Sequence, residues 1–253
     1  MSAPQPEPTT CATAMNAAIT HAMRKNATVV LYGLRVASAG AVHGTTEGLA
    51  EAFGEERVLE TPLSEDAMTG AGIGMAMAGL TPILVHMRTE FTILGVSQMF
   101  NVAAKMRMDF GIPLRFVVRT IVGRGWGQGP QHSMSLHSLW AHVPGLRVVA
   151  PVTPVDHAVA LRDALVGPDP TVIIEHRLLH VMDDNDWKEL NLHRMRPSSP
   201  DVLLVGVSHM AVECHRAATI LREQDDIEAD VFSVTSLRPL DIAAVIEAAA
   251  MCD

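Results

Sequence analysis

The chain alternates between two kinds of segment, and this alternation most constrains how it can fold. Apolar runs at 28–32 (TVVLY), 82–87 (PILVHM), 114–119 (LRFVVR), 147–150 (RVVA) and 171–175 (TVIIE) recur, with a short run at 57–60. Between them lie segments of helical pattern at 12–25, 44–53, 61–80, 92–108, 133–142 and 155–166. A strand exposed on one face alternates polar and apolar residues. These runs do not, so both their faces must be covered. Strands separated by helices pair in parallel. The expected fold is α/β, a parallel sheet with helices on both faces.

The rhythm breaks at 176–200, a polar stretch with Asp183, Asp184 and Asp186 that ends in Pro197-Ser198-Ser199-Pro200. It reads as a solvated linker. A second α/β unit follows, with strands at 202–205 and 230–234 and helices at 211–223 and 241–250. The expected organisation is a disordered tail at 1–11, a main domain at 12–178, a linker at 179–200 and a partial second domain at 201–253. Two strands and two helices are few for an independent domain, so the chain reads as truncated, split or completed by a partner.

Aromatic residues make up only 4% of the chain against 15 Met, so Ala, Gly and Met must fill many of the helix contacts. The net charge of −9, without a run of Lys or Arg, argues against nucleic-acid or anionic-membrane binding. Cys11, Cys214 and Cys252 are far apart in sequence, which fits a reducing compartment and no zinc site. The start lacks a basic segment followed by an apolar run, and no run is long enough to span a membrane. The expected location is cytoplasmic.

Two stretches stand out chemically. In TPLSEDAMTGAGIGMAMAGL (61–80), Ser64 can cap a helix whose first turn carries Glu65 and Asp66, where the helix dipole favours negative charge. Gly70, Gly74 and Ala78 fall on one face, open to close approach by another backbone. From the residues alone, Glu65 is either an ordinary acidic helix start or a carboxylate positioned beside a subunit interface. In IVGRGWGQGPQHSMSLHSLWAHVPG (121–145), four glycines precede His132. Their spacing fails the dinucleotide pattern because Gln128 interrupts it. A histidine there can act as acid or base near neutral pH, or be merely structural. Phe91 reads as a core residue, and Arg88 either meets a substrate anion or pairs with Glu90.

Pro62-Leu63-Ser64-Glu65, the Gly/Ala-rich helix and Gly79-Leu80 resemble a segment of the β subunits of thiamine-diphosphate-dependent 2-oxo acid dehydrogenases, the E1 β family. Gln131-His132-Ser133, Ala141-His142, Pro144-Gly145-Leu146, Val148-Val149-Ala150-Pro151 and Thr153-Pro154 continue the resemblance, as do Phe91 and Asn101-Val102-Ala103-Ala104-Lys105. It spans about residues 12–250 and is strongest over 57–154. The resemblance implies a thiamine-diphosphate pyrimidine-binding domain followed by part of a transketolase-type C-terminal domain. It implies that Glu65 binds N1′ of the aminopyrimidine, with Ser64 beside it, that Phe91 packs on the ring, and that His132 serves proton and acyl transfer. Arg88, Gln131 and Arg124 become candidates for contact with substrate, while His142 becomes structural. Two features depart from the family. Leu34 stands where the family has an acid of a relay between paired sites, and 108–113 is shorter than its counterpart.

Thiamine enzymes hold the diphosphate through Mg²⁺ bound at a Gly-Asp-Gly motif, and this chain has no such motif. In the family the motif lies on a separate α subunit. The resemblance therefore implies an α-type partner that holds Mg²⁺ and diphosphate, no metal ligand from this chain, and an α2β2 assembly joined through the Gly-rich helix. A lipoyl-domain acyltransferase would accept the acyl group. Three readings stay open: a β-type subunit that decarboxylates a 2-oxo acid and transfers the acyl group, a transketolase-like carboligase subunit, and a non-catalytic stabilising subunit.

Overall fold

The computed structural model describes residues 10–38, 40–125, 127–190, 197 and 199–252. Its elements, in chain order, are α1 (Cys11–Lys25), β1 (Val29–Gly33), α2 (Leu49–Phe53), β2 (Val58–Glu60), α3 (Glu65–Met77), β3 (Thr81–His86), α4 (Thr89–Thr92), α5 (Ala104–Phe110), β4 (Val117–Val122), α6 (His137–Ala141), β5 (Arg147–Val149), α7 (Pro154–Val166) and β6 (Thr171–His176). Then follow α8 (Arg177–His180), α9 (Asp184–Glu189), β7 (Val202–Val207), α10 (His209–Asp225), β8 (Ala229–Val234), β9 (Ser236–Arg238) and α11 (Ile242–Ala249). No helix among the described residues is long and apolar enough to cross a membrane.

Seven strands form one sheet in the order β2-β1-β3-β4-β6-β5-β9 among the described residues. All pairs are parallel except β5 with β9. Successive residues of each central strand point to opposite faces, as the pleat requires. Leu31, Ile83, Val85, Val117 and Ile121 join one core with Met15, Ile19 and Met23 of α1 and Leu161 of α7. Tyr32, Leu84, Val118 and Ile174 join the other with Met68 and Ile73 of α3, Met99 and Trp140. The sheet is thus covered on both faces, as the continuous apolar runs require.

Several expectations are corrected. The strand expected at 114–119 lies at Val117–Val122, because Leu114 instead bonds through its N–H to the carbonyl of Pro168 (2.8 Å) and enters the core ahead of the ladder. The helix expected at 44–53 is only Leu49–Phe53, preceded by Gly48 in the left-handed region (φ 73°). The helix expected at 92–108 is broken into α4, a 3₁₀ turn (Ile93–Gly95), a π-helical stretch (Gln98–Ala103) and α5. At Gly95 a Cβ would lie 2.4 Å from Thr69 Oγ1, so this turn is pressed against α3. The helix expected at 133–142 is only His137–Ala141.

The stretch expected as a solvated linker also differs. Residues 177–190 form α8 and α9, and Leu179, Met182 and Leu190 pack with Cys11, Val152, Ala211 and Val212. Its acids cap a helix: Asp183 accepts from the N–H groups of Asn185 and Asp186, and Asp186 accepts from the N–H of Asp183. Residues 191–196 and 198 of that stretch lie outside the described residues. So do residues 1–9 of the expected tail, whereas Thr10 caps α1 and Cys11 is fully buried. β7 and β8 pair with each other under α10. β9, which the sequence pattern does not show, then returns to the main sheet beside β5. Its neighbour Thr235 accepts from Ala150 N–H (2.8 Å).

Within α3 the glycines divide differently from expectation. Gly72 is the closely packed one: a Cβ there would lie 2.0 Å from the Tyr32 hydroxyl and 2.5 Å from the Phe116 ring. That proximity lets Tyr32 donate to the carbonyl of Met68 (2.9 Å) and clamp α3 to β1. Gly74 and Ala78 are exposed, and a Cβ at Gly74 would meet nothing within 4 Å. In urea unfolding of the full chain, Gly72→Ala is expected to lose about 2 kcal/mol or more through overpacking. Gly74→Ala should gain about 0.5–1 kcal/mol through helix propensity. Equal effects at the two positions would contradict this packing.

Candidate functional site

The sheet order sets where a site can form. From β1 the chain passes to β2 on one side, then crosses to β3 on the other, so the direction of winding reverses between β1 and β3. In open α/β sheets the crevice beyond the carboxyl ends of the strands at such a point is the natural ligand site. A cleft of about 120 Å³ lies there, lined by residues that include Leu34 after β1, Glu65 of α3, Val85–Arg88 at the end of β3, and Phe91 of α4. Pro62, Leu63 and Met68 complete its mostly apolar wall.

Glu65 is the first residue of α3 and is half-buried, with its carboxylate at the positive end of the helix dipole. Its backbone carbonyl accepts from Thr69 Oγ1 (2.7 Å). Ser64 occupies the N-cap position but makes no capping bond with its side chain, contrary to expectation. Its backbone ψ of 71° is outside the extended geometry typical of a capping serine.

Phe91 and His132 meet edge to face, with ring centroids 5.5 Å apart. Two contacts bring the glycine-rich loop to this position. Buried Glu90 accepts from the N–H of Met134 (2.8 Å), and Arg88 donates to the side-chain oxygen of Gln128. The residues flanking Phe91 in sequence thus pin the loop that carries His132. Gly129 takes a φ of 73° just before the Pro130–His132 turn, a conformation that favours glycine. Nδ1 of His132 is buried without a hydrogen-bond partner among the described residues.

His86, which sequence reasoning did not single out, ends β3 and lines the same cleft. It is 3% exposed, and its Nε2 has no partner among the described residues. Burial pushes its pKa down to about 4, so it is neutral at neutral pH. The one available signal was a histidine terminating an otherwise apolar strand. Glu90 was noted only as a partner for Arg88, and its hold on the loop depends on tertiary contact.

The structure therefore brings Glu65, Arg88 and Phe91 to one cleft, with His132 against Phe91. Gln131 is exposed and does not line the cleft. Arg124 lines a different cleft, with His137, His176 and His209. Among the described residues, His157, Glu175 and His180 have the proximity of metal ligands, their donor atoms lying within 4.8 Å of one another. Both oxygens of Glu175 are already engaged, by Arg119 (2.7 and 2.8 Å) and by His180 (3.0 Å).

Residues 7–181 match the family described as the transketolase pyrimidine binding domain, and residues 192–252 match the transketolase C-terminal domain. The mitochondrial pyruvate dehydrogenase E1 component subunit beta of Pisum sativum is 34% identical, over 90% of this chain and 66% of that protein. The 2-oxoisovalerate dehydrogenase subunit beta of Bacillus subtilis (strain 168) is 34% identical, over 93% of this chain and 74% of that protein. The chain thus spans roughly two thirds to three quarters of these relatives' length. A solved structure described as a split gene transketolase, inactive beta4 tetramer, shares the fold, with a TM-score of 0.69 and 19% identity over 96% of this chain and 77% of that one.

Burial also pushes His157 down to about 4. In the unfolded chain both it and His86 titrate near 6.5, so between these values the unfolded state binds protons that the folded state refuses. Stability of the full chain is therefore expected to fall as pH drops from about 7 towards 4, and His86→Gln should flatten the slope. A chemical-denaturation midpoint that stays constant across this window would contradict the neutral, buried state of these rings.

Proposed function

The chain belongs to the transketolase pyrimidine-binding family that includes the E1 β subunits of thiamine-diphosphate-dependent 2-oxo acid dehydrogenases, and from that membership we propose that it is the β-type subunit of such an enzyme. One observation carries the reading: a carboxylate at a helix start, Glu65, and an aromatic ring, Phe91, line one small apolar cleft at the winding reversal, with His132 against the ring. These residues fit the aminopyrimidine part of the cofactor, a flat ring with one nitrogen able to share a proton. The orphaned nitrogens of His86 and His132 beside the cleft fit a polar ligand as well.

When bound, thiamine diphosphate supplies the carbanion chemistry that cleaves a 2-oxo acid and carries the acyl unit. Glu65 holds a proton at N1′ through a charge-assisted hydrogen bond. Phe91, Leu34, Leu63 and Met68 pack on the ring and exclude water, which strengthens that bond. His132 gives or takes a proton at the substrate oxygen, and its unpartnered Nδ1 suits it to that role. Arg88, on the same cleft, is the substrate-side cation.

The chain lacks a Gly-Asp-Gly motif, so in this reading an α-type subunit supplies Mg²⁺ and the diphosphate site. The exposed small-residue face of α3 supports self-association through that helix in an α2β2 assembly. A lipoyl-domain acyltransferase is the proposed acyl acceptor, and the cytoplasm the proposed location.

The test is co-expression with an α-type subunit and assay of pyruvate and branched 2-oxo acid decarboxylation. Glu65→Gln is expected to lower kcat roughly 100-fold or more, without loss of assembly. An unchanged rate would remove Glu65 from the chemistry. Turnover only with an aldehyde acceptor would assign a carboligase instead, and an inactive wild-type complex a stabilising subunit.

A further inference from the structure

A second cleft, of about 760 Å³, opens between the main sheet and the β7–α10 unit. It shares no lining residue with the cleft that holds Glu65. Its polar lining includes Arg124 from the glycine-rich loop, His137, His176 at the end of β6, and Ser208 and His209 at the start of α10.

Helix α10 is 17 residues long and presents its amino end to this cleft. Ser208 sits at its N-cap but makes no capping bond, and no acid occupies the first turn. The leading N–H groups and the positive end of the dipole are thus uncompensated by side chains. Ser208 is only 3% exposed, and its hydroxyl has no hydrogen-bond partner among the described residues. A hydroxyl taken out of water without a partner needs an explanation, and a ligand at the helix start supplies one. Across the cleft, Nε2 of His137 is likewise buried and unpartnered, while its Nδ1 meets Ser135 Oγ (2.9 Å).

The remaining groups favour negative charge. The rings of His176 and His209 stack at 4.8 Å. His176 accepts the N–H of Leu178 at Nδ1, so its neutral form carries the proton on Nε2 and can donate. Burial and the nearby Arg124 charge both lower the pKa of these two rings. The one carboxylate of the lining, Glu213, is paired with Arg216 (2.6 Å), which offsets its charge, and its same oxygen lies 3.7 Å from Nε2 of His209. Arg124 itself has no ion pair among the described residues.

We propose that this cleft binds a phosphate group, held by the amino end of α10, the Ser208 hydroxyl, Arg124 and ring N–H groups of the lining histidines. The phosphate is either free or carried by a small metabolite, for which the cleft has room. The site is independent of the thiamine reading and lies outside the Glu65 cleft.

The test is calorimetric titration of the full chain at constant ionic strength with inorganic phosphate and with glycerol 3-phosphate. Saturable binding is expected, tighter for glycerol 3-phosphate if the natural ligand is a phosphorylated metabolite and equal if it is free phosphate. Ser208→Gly removes the hydroxyl and accommodates the positive φ of 55°. It and Arg124→Gln should each weaken binding roughly 10-fold or more, whereas Arg162→Gln, away from the cleft, should not. Absence of saturable binding by both probes, or affinity unchanged in both cleft variants, would overturn the proposal.

Discussion

A charge pair sealed from water lies at the centre of the main sheet. Arg119 of β4 and Glu175 of β6 have no exposed side-chain surface and meet through two parallel hydrogen bonds (2.7 and 2.8 Å). His180 donates to the same carboxylate (3.0 Å). Removing both charges from water is costly, and only such bidentate geometry with a further donor offsets it. The arginine and the histidine hold the Glu175 carboxyl well below the usual carboxylate range despite burial. The network ties the middle of β4 to the carboxyl-terminal half of the neighbouring β6. From the first springs the loop that bears Arg124 and His132, and from the second the α8–α9 segment.

The candidate site depends on that frame and on one close approach. Gly72 lets α3 sit against Tyr32 and Phe116, which sets the start of α3, and with it Glu65, over the end of β1. On the other side, Thr92 bonds Thr120 of β4 (2.7 Å), and Glu90 holds Met134, so Phe91 and the His132 turn are positioned together. The site is thus assembled by four segments remote in sequence, each anchored in the sheet or its loops. Leu34 at the mouth of this cleft is an apolar wall and cannot carry a proton.

The central strands β1, β3 and β6 were legible because their runs are apolar on both faces. Glu65, Phe91 and His132 were legible through motifs that resemble a known family, since composition alone left each of them ambiguous. What was hidden depends on contacts distant in sequence. The break between α4 and α5 follows from Gly95 against Thr69, and β9 (Ser236–Arg238) is recognised only by its pairing with β5. The 177–190 segment is polar in composition, yet it packs Leu179, Met182 and Leu190 against α10 and Cys11. His86 and Ser208 look unremarkable in sequence. Burial without partners is what marks them.

The central claim is that Glu65 meets the aminopyrimidine of thiamine diphosphate from this chain's side of a shared site. It is tested most directly by an experimental structure of the chain assembled with an α-type subunit and the cofactor. The account predicts a Glu65 carboxylate oxygen within about 3 Å of N1′, with Phe91 against the ring. A cofactor ring seated elsewhere, or a water between the carboxylate and N1′, would contradict it.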